Sequence, residues 1–332
     1  MMRVLVTGSA GFIGYHLCAL LLAEGAEVIG LDAHDAYYDP ALKAAREAQL
    51  RPHPGFTAIR ARVEDAGVLA DIFATHKPDF VVHLAAQAGV RYSITNPRAY
   101  LESNLIGTFE LLEAARAHPP RHMLLASTSS AYGANTEMPY RETDKADAQM
   151  SFYAATKKST EAMAHSYAHL FGLPVTMFRF FTVYGPWGRP DMAPWLFTSA
   201  IIAGQPIKVF NHGDMRRDFT YVTDLVRAIR LLMDAVPGDT PVCPEDSLSP
   251  VAPFRVVNIG NGAPVELLDF IAAIESATGK QAIRQMLPMQ PGDVPATWAD
   301  TTLLSRLTGY APQTQVPQGI AEYVDWFRSY YL

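Results

Sequence analysis

The amino-acid sequence predicts an α/β fold: a doubly wound parallel sheet with a smaller C-terminal α/β domain. Three observations predict it. Short apolar runs alternate with helical stretches from the N-terminus to about residue 180, the repeat that builds parallel β-α units. The run Asp79-Phe80-Val81-Val82-His83-Leu84 is near-continuously apolar, as a strand covered on both faces requires. The first run leads into Gly8, Gly11 and Gly14 and then into a helical pattern.

Arg3-Val4-Leu5-Val6-Thr7 reads as a buried strand and Phe12 to Ala23 as a helix. Strand, Gly-x-x-Gly-x-x-Gly, helix is a dinucleotide-binding turn. Its glycines let the backbone approach a pyrophosphate, and the helix N-terminus supplies oriented N–H groups. Glu27 to Leu31 forms the second strand and ends at Asp32, 18 residues after Gly14. An acid there accepts from the two free hydroxyls of an adenosine ribose and repels a 2′-phosphate, which favours NAD over NADP.

The alternation continues with a strand at Phe56–Ile59, a helix at Val68–Thr75, the 79–84 strand and a helix at Arg98–Ala117. The next strand, His122–Ala126, runs into Ser127-Thr128-Ser129-Ser130. Gly8, Asp32, Leu84 and Thr128 all fall at the carboxyl ends of strands, where parallel sheets bind ligands. Tyr153 and Lys157 lie four residues apart and share one helix face. A lysine ammonium beside a phenol favours the phenolate, so Tyr153 is a candidate base near neutral pH.

After the sixth strand, Val175–Arg179, the alternation becomes irregular and prolines cluster. Residues 1–185, with about 219–260, are expected to form the dinucleotide-binding domain. Residues 186–218 and about 261–332 are expected to form a smaller substrate domain. Within 219–260, Phe219–Tyr221 reads as extended, Asp224–Ala235 as helical and Arg255–Asn258 as extended, returning to the sheet. A ligand belongs at the interface of the two parts.

The 332 residues are 49% hydrophobic and 18% charged, with a formal net charge of −6. That balance recruits neither nucleic acid nor an anionic membrane, so any basic site is local. Cys18 and Cys243 have no metal-ligand or disulfide-framework spacing, and Cys18 reads as a core residue. No metal site is expected. A reduced, cytoplasmic compartment fits the cysteine usage. No signal peptide and no apolar run near 18 residues is seen.

With Gly8/Gly11/Gly14, Asp32, Leu84-Ala85-Ala86, Ser127-Thr128 and Tyr153/Lys157 in this order, the chain resembles the extended short-chain dehydrogenases/reductases, which are built on a Rossmann sheet. It resembles in particular their nucleotide-sugar-modifying branch. Five stretches sharpen the match: residues 37–40, 86–93, 180–193, 213–220 and 290–297. Together they resemble the UDP-glucuronate 4-epimerases, and the run from Thr182 to Ala193 is the most specific.

The resemblance implies NAD-dependent 4-epimerisation of a UDP-sugar, UDP-glucuronate to UDP-galacturonate. Tyr153 takes the 4-hydroxyl proton while hydride leaves C4 for bound NAD+. The 4-keto sugar then rotates and hydride returns to its other face. Lys157 lowers the tyrosine pKa, and Thr128 bridges the 4-oxygen and the phenol. The resemblance places Phe12, Ile13, Val63, Leu84, Ala85, Ala86, Asn104 and Phe180 at NAD, with Gly8, Gly11, Gly14, Asp32, Tyr153 and Lys157. It places Arg91, Ser129, Ser130, Thr182, Arg189, Val209, Arg217 and Asp293 at the sugar nucleotide. Arginine suits a diphosphate and a carboxylate because its planar fork makes paired hydrogen bonds.

Two positions depart from relatives. Sugar-nucleotide decarboxylases carry an acid two residues after the catalytic Ser/Thr, where this chain has Ser130. Arg62 stands where relatives have an aspartate for the adenine amino group, and an arginine cannot accept that bond. Either Glu64 or Asp65 substitutes, or backbone holds the adenine. The alternatives are a UDP-glucose- or UDP-N-acetylglucosamine-type 4-epimerase, a UDP-glucuronate decarboxylase and a non-catalytic NAD-binding sensor. Gln290 replaces the phosphate-binding arginine of galactose-type epimerases. The resemblance also implies a homodimer packed through the helix after Arg98 and the helix carrying Tyr153.

Overall fold

The computed structural model describes residues 2–289 and 294–332. In chain order, the first six strands are β1 Arg3–Thr7, β2 Glu27–Asp32, β3 Phe56–Arg60, β4 Phe80–His83, β5 His122–Ala126 and β6 Val175–Phe180. There follow β7 Thr182–Tyr184, β8 Pro206–Val209, β9 Arg216–Tyr221, β10 Phe254–Ile259, β11 Pro264–Glu266, β12 Ile283–Met286 and β13 Ala296–Thr297. The helices of the N-terminal part are α1 Phe12–Ala23, α2 Pro40–Leu50, α3 Val68–His76, α4 Tyr92–Thr95, α5 Pro97–Tyr100, α6 Gly107–Ala117 and α7 Phe152–Phe171. The remainder are α8 Ala193–Ala203, α9 Val222–Asp234, α10 Leu267–Thr278, α11 Thr302–Thr308 and α12 Val316–Tyr331.

The main sheet has the order β10-β6-β5-β4-β1-β2-β3, and its neighbouring strands run parallel. Side chains alternate between its faces with the period of a strand. On β1, Val4 and Val6 pack with α1 and α9, while Leu5 packs on the other side with α3, α6 and α7. This two-sided covering is why the strands read as continuous apolar runs. The chain leaves β1 toward β2 and re-enters the sheet on the other side of β1 at β4. That reversal opens a crevice beyond the carboxyl ends of β1 and β4.

A third core joins α8, α10 and α12 with Phe219 and Tyr221 of β9. Phe219 stacks on Phe270 with ring centroids 4.0 Å apart. Strand β9 lies between β11 and β13 in a small sheet and also pairs with β7. The expected return of residues 219–260 to the main sheet therefore holds for β10, whereas Phe219–Tyr221 belongs to the small sheet. Its aromatic side chains are taken up by the C-terminal core.

The expected continuous helix over Arg98–Ala117 is also interrupted. After α5, Leu101–Ile106 forms a π-helical turn before α6 begins. One wide turn leaves the apolar period intact on either side, so periodicity reads straight through it.

Candidate active site

The glycine turn is built by close approach. Gly8 has φ +72°, in the left-handed region that favours glycine. A Cβ there would stand 2.9 Å from the Ala85 backbone nitrogen. A Cβ on Gly14 would collide with the Gly8 carbonyl oxygen, so α1 abuts the turn closely. Helix α1 starts at Gly11 with no side-chain cap and no acid in its first turn. Its first N–H groups are thus available to an anion. Phe12 is buried against the core, which leaves its backbone to contribute. Asp32 accepts from the Ala10 N–H at 3.0 Å and the His34 N–H at 2.8 Å. Those bonds hold its carboxylate at the carboxyl end of β2. Leu84, Ala85 and Ala86 leave β4 beside Gly8, and Phe180 ends β6. A turn only glycine can form, an uncapped helix terminus and an acid beside them fit a dinucleotide.

Ser151 caps α7 by accepting from the Ala154 N–H at 3.1 Å. Tyr153 and Lys157 follow on one face, both buried. The Thr128 hydroxyl hydrogen-bonds the Tyr153 phenol and accepts from the Ser130 N–H at 3.2 Å. It therefore both caps the Ser129–Tyr132 turn and touches the candidate base. Burial pushes the Tyr153 phenol up, opposed by the Thr128 hydrogen bond and the positive charge of Arg189. Burial brings Lys157 itself down to about 8, with Glu161 pulling the other way.

Sequence reasoning missed the support behind these residues. Glu161 accepts from Ser127 Oγ at 2.6 Å and Arg179 Nε at 2.8 Å with one oxygen. With the other it accepts from Arg179 Nη2 at 2.7 Å and Lys158 Nζ at 2.9 Å. Burial raises its pKa, but the Arg179 bonds outweigh that and hold it near 2. Two signals were present: Glu161 follows Lys157 by one helical turn, and Arg179 is a charge inside an otherwise buried strand. His83 sits beneath, between the Thr7 hydroxyl at 2.7 Å and the Thr108 hydroxyl at 3.3 Å. Burial, with Lys157 adding to it, brings its pKa to about 3.

Asn104, expected at NAD, faces inward from the π-helical turn. Its Oδ1 accepts from the Gln87 N–H at 2.8 Å, and its Nδ2 donates to Gln87 O at 3.1 Å and Thr156 Oγ1 at 3.0 Å. Its amide holds the loop after β4 against α7. Val63 is buried and lies against Gly107 at the start of α6. Arg62 pairs with Asp35 at 2.8 Å and Glu64 at 3.1 Å, and its N–H donates to Asp65 at 3.3 Å. The two acids expected to substitute for it are engaged with Arg62 itself.

On the substrate side, Arg189 makes a two-point pair with Asp191, Nε to Oδ1 at 3.0 Å and Nη2 to Oδ2 at 2.6 Å. Its guanidinium lies 5.7 Å from the Tyr37 ring centre, and Tyr37 donates to Asp191 at 3.1 Å. Thr182 opens β7 opposite Phe219. Arg91 lies over the Phe210 ring at 5.5 Å. Arg217 donates to the carbonyls of Arg216 at 2.8 Å, Pro295 at 3.1 Å and Val294 at 2.8 Å. The Val209 side chain is 0% exposed in the C-terminal core, so its expected ligand contact is restricted to backbone. Ser129 and Ser130 open the turn after Thr128. Asp293 and Gln290 lie outside the described residues. Among the described residues no His/Cys/Asp/Glu group is arranged to hold a metal, and no helix is long and apolar enough to cross a membrane.

Comparison with known proteins places this geometry in context. Residues 4–243 match the NAD dependent epimerase/dehydratase family. A probable UDP-glucuronate 4-epimerase of Rhizobium meliloti (strain 1021) is 52% identical over 334 residues, covering 99% of this chain and 98% of that protein. UDP-glucuronate 4-epimerase 4 of Arabidopsis thaliana is 43% identical over 333 residues, covering 99% of this chain and 76% of that protein. The crystal structure of UDP-glucuronic acid 4-epimerase from Bacillus cereus, in complex with UDP-glucuronic acid and NAD, superposes with a TM-score of 0.89 at 32% identity. It covers 99% of this chain and 100% of that one.

Proposed function

The chain belongs to the NAD dependent epimerase/dehydratase family, and from that premise we propose that it interconverts UDP-glucuronate and UDP-galacturonate by inverting C4. The observation that carries the proposal is the buried Tyr153 phenol, hydrogen-bonded to Thr128, on the helix face it shares with Lys157. Ser130, two residues beyond Thr128, separates this arrangement from that of a decarboxylase.

Bound NAD+ supplies the acceptor for the C4 hydride and its return. The glycine turn and the α1 N-terminus hold its pyrophosphate, and Asp32 holds the adenosine ribose. Tyr153 takes the proton from the sugar 4-hydroxyl, with Thr128 bridging the two oxygens. The phenolate is supported by that hydrogen bond and by the charge of Arg189, both of which oppose the burial that raises its pKa. Lys157 remains protonated at neutral pH and holds the nicotinamide ribose. Arg189 and Arg217 hold the anionic groups of the sugar nucleotide, and the Thr182 hydroxyl reads the uronate carboxylate. A 4-keto uronic acid is a β-keto acid that loses CO2 readily. With Ser130 in place of an acid the site preserves the carboxylate, so epimerisation is favoured over decarboxylation.

A cytoplasmic homodimer binding neither nucleic acid nor membrane completes the proposal. Exposed Leu101, Phe109 and Phe152, on the helices expected to pair, support the dimer. The activity is tested by incubating purified protein with UDP-glucuronate and following products by NMR. UDP-galacturonate without CO2 is the expected result. UDP-xylose or a released 4-ketopentose would refute the proposal.

A further inference from the structure

Arg46 lies on α2, outside the motifs, yet it is 0% exposed. A buried guanidinium is costly unless its donors are satisfied. Among the described residues its hydrogen-bond partners include no carboxylate. Its partners are instead oxygens from three loops. Nη1 donates to Ala10 O at 3.1 Å and to the Tyr38 hydroxyl at 2.8 Å. Nε and Nη2 both donate to Trp187 O, at 3.1 and 2.6 Å, and Nη2 also lies 3.4 Å from Gly188 O.

Each partner sits next to the proposed chemistry. Ala10 is inside the glycine turn, and its N–H is held by Asp32. The Ala10 residue is therefore fixed from both ends, by an acid and by a buried cation. Trp187 has φ +62°, a conformation unfavourable for a residue with a side chain, which persists only where surroundings impose it. Two bonds from Arg46 fix its carbonyl, and Arg189 follows two residues later. The same loop is tied to α1 by His16 Nε2, 2.8 Å from Pro186 O, and by contact of Tyr15 with the Trp187 ring at 5.6 Å.

We propose that Arg46 is a positioning residue that couples the dinucleotide turn to the substrate-side arginine, holding Ala10 and the strained Trp187–Gly188 segment in one register so that Arg189 is aimed at the substrate anion. The inference rests on Arg189 acting at that anion, as proposed above. Lysine cannot replace Arg46, because a single ammonium lacks the planar fork that spans these carbonyls.

The test is a double-mutant cycle of Arg46→Met with Arg189→Met, read as affinity for UDP by titration calorimetry and as NAD released from denatured protein. Single replacement of Arg46 is expected to weaken UDP about tenfold, within the range caused by small misplacements, and to lower the NAD content. In the Arg189→Met background the same replacement is expected to change UDP affinity by less than about twofold, because coupled residues are not additive. Equal losses in both backgrounds, or unchanged UDP affinity and NAD content in the single variant, overturn the proposal. If Arg46→Met does not fold, Tyr38→Phe, which removes one of the Arg46 bonds, takes its place in the cycle. It is expected to weaken UDP about threefold when Arg189 is present and not otherwise, and unchanged affinity again overturns the proposal. UDP binding is independent of turnover. Failure of wild-type protein to convert UDP-glucuronate therefore counts against the proposed activity and leaves the coupling measurement standing.

Discussion

The Ser127 hydroxyl donates a 2.6 Å hydrogen bond to Glu161 Oε1. That bond joins the residue before Thr128 to the residue one helical turn after Lys157, so β5 and α7 meet directly behind the candidate catalytic groups. The same carboxylate is paired with buried Arg179 and is the group that pulls the Lys157 pKa up.

Replacing Glu161 by Gln leaves Arg179 buried without its counter-charge and is expected to destabilise the protein by about 3–5 kcal/mol. It also removes the charge that raises the Lys157 pKa, so the pH–rate limb reporting Lys157 should move to lower pH than in the wild-type protein. Denaturant titration and a pH profile check both parts. A stable variant with an unmoved limb contradicts the assigned role. Ser127→Ala keeps the ion pair and should show a much smaller loss of stability.

Tyr153→Phe removes the phenol oxygen and keeps the ring. Turnover of UDP-glucuronate should fall by about 10²–10⁴-fold, the usual worth of a positioned acid–base group, while NAD stays bound. Retained turnover would show that another group is the base.

Gly14→Ala places a methyl against the Gly8 carbonyl, which belongs to backbone and cannot swing aside. The variant should lose resident NAD and about 1–3 kcal/mol of stability through overpacking. Nucleotide content after purification and the thermal midpoint measure this, and a wild-type NAD content would refute it.

Stability should fall as the solution is acidified from pH 6.5 to 5. His83, His16 and His122 are buried, with pKa values near 3, 4 and 4. For each, the folded value lies below the unfolded one, so its contribution is complete above about 6.5 and is lost as pH falls toward the folded value. Burial raises Glu142 to about 7, with the opposite sign: its contribution is present below its unfolded value of about 4.5 and is lost as pH rises through 7. On unfolding near pH 5.5, three histidines gain protons and one carboxyl loses its own, a net uptake of about two. The slope should be about 2–3 kcal/mol per pH unit. Urea midpoints at four pH values test it, and a flat profile would contradict the burial of these histidines.

The legible residues were those whose chemistry is tied to local spacing. Gly8, Gly11 and Gly14 announce a backbone turn, and Tyr153 with Lys157 announces a helix face, because both depend on neighbours a few positions away. The strands of the main sheet were legible because both faces are covered, which leaves a continuous apolar signal. Less legible were residues whose role depends on a partner far along the chain. Nothing local reveals the π-helical turn at Asn104 or the distant Gln87 and Thr156 it holds. Nor does anything local reveal that the Val209 side chain enters a core assembled from α8, α10 and α12. Arg46 had one quiet signal: it lies four residues from buried Leu42 and Leu50, on the inward face of α2.

By itself the sequence determined the doubly wound sheet, the dinucleotide turn with its acid at Asp32, and the chemical types gathered at the carboxyl ends of the strands. Periodicity and short spacing carry that information along the chain. Only the tertiary structure decided what surrounds those groups. Burial raises the Tyr153 phenol, and Thr128 and Arg189 oppose it. Glu161 and Arg179 brace the site from behind, and Arg46 joins the glycine turn to the Trp187 carbonyl, 141 positions beyond Arg46 in sequence. Desolvation and charge act through space, and which groups come within range is set by how the layers pack.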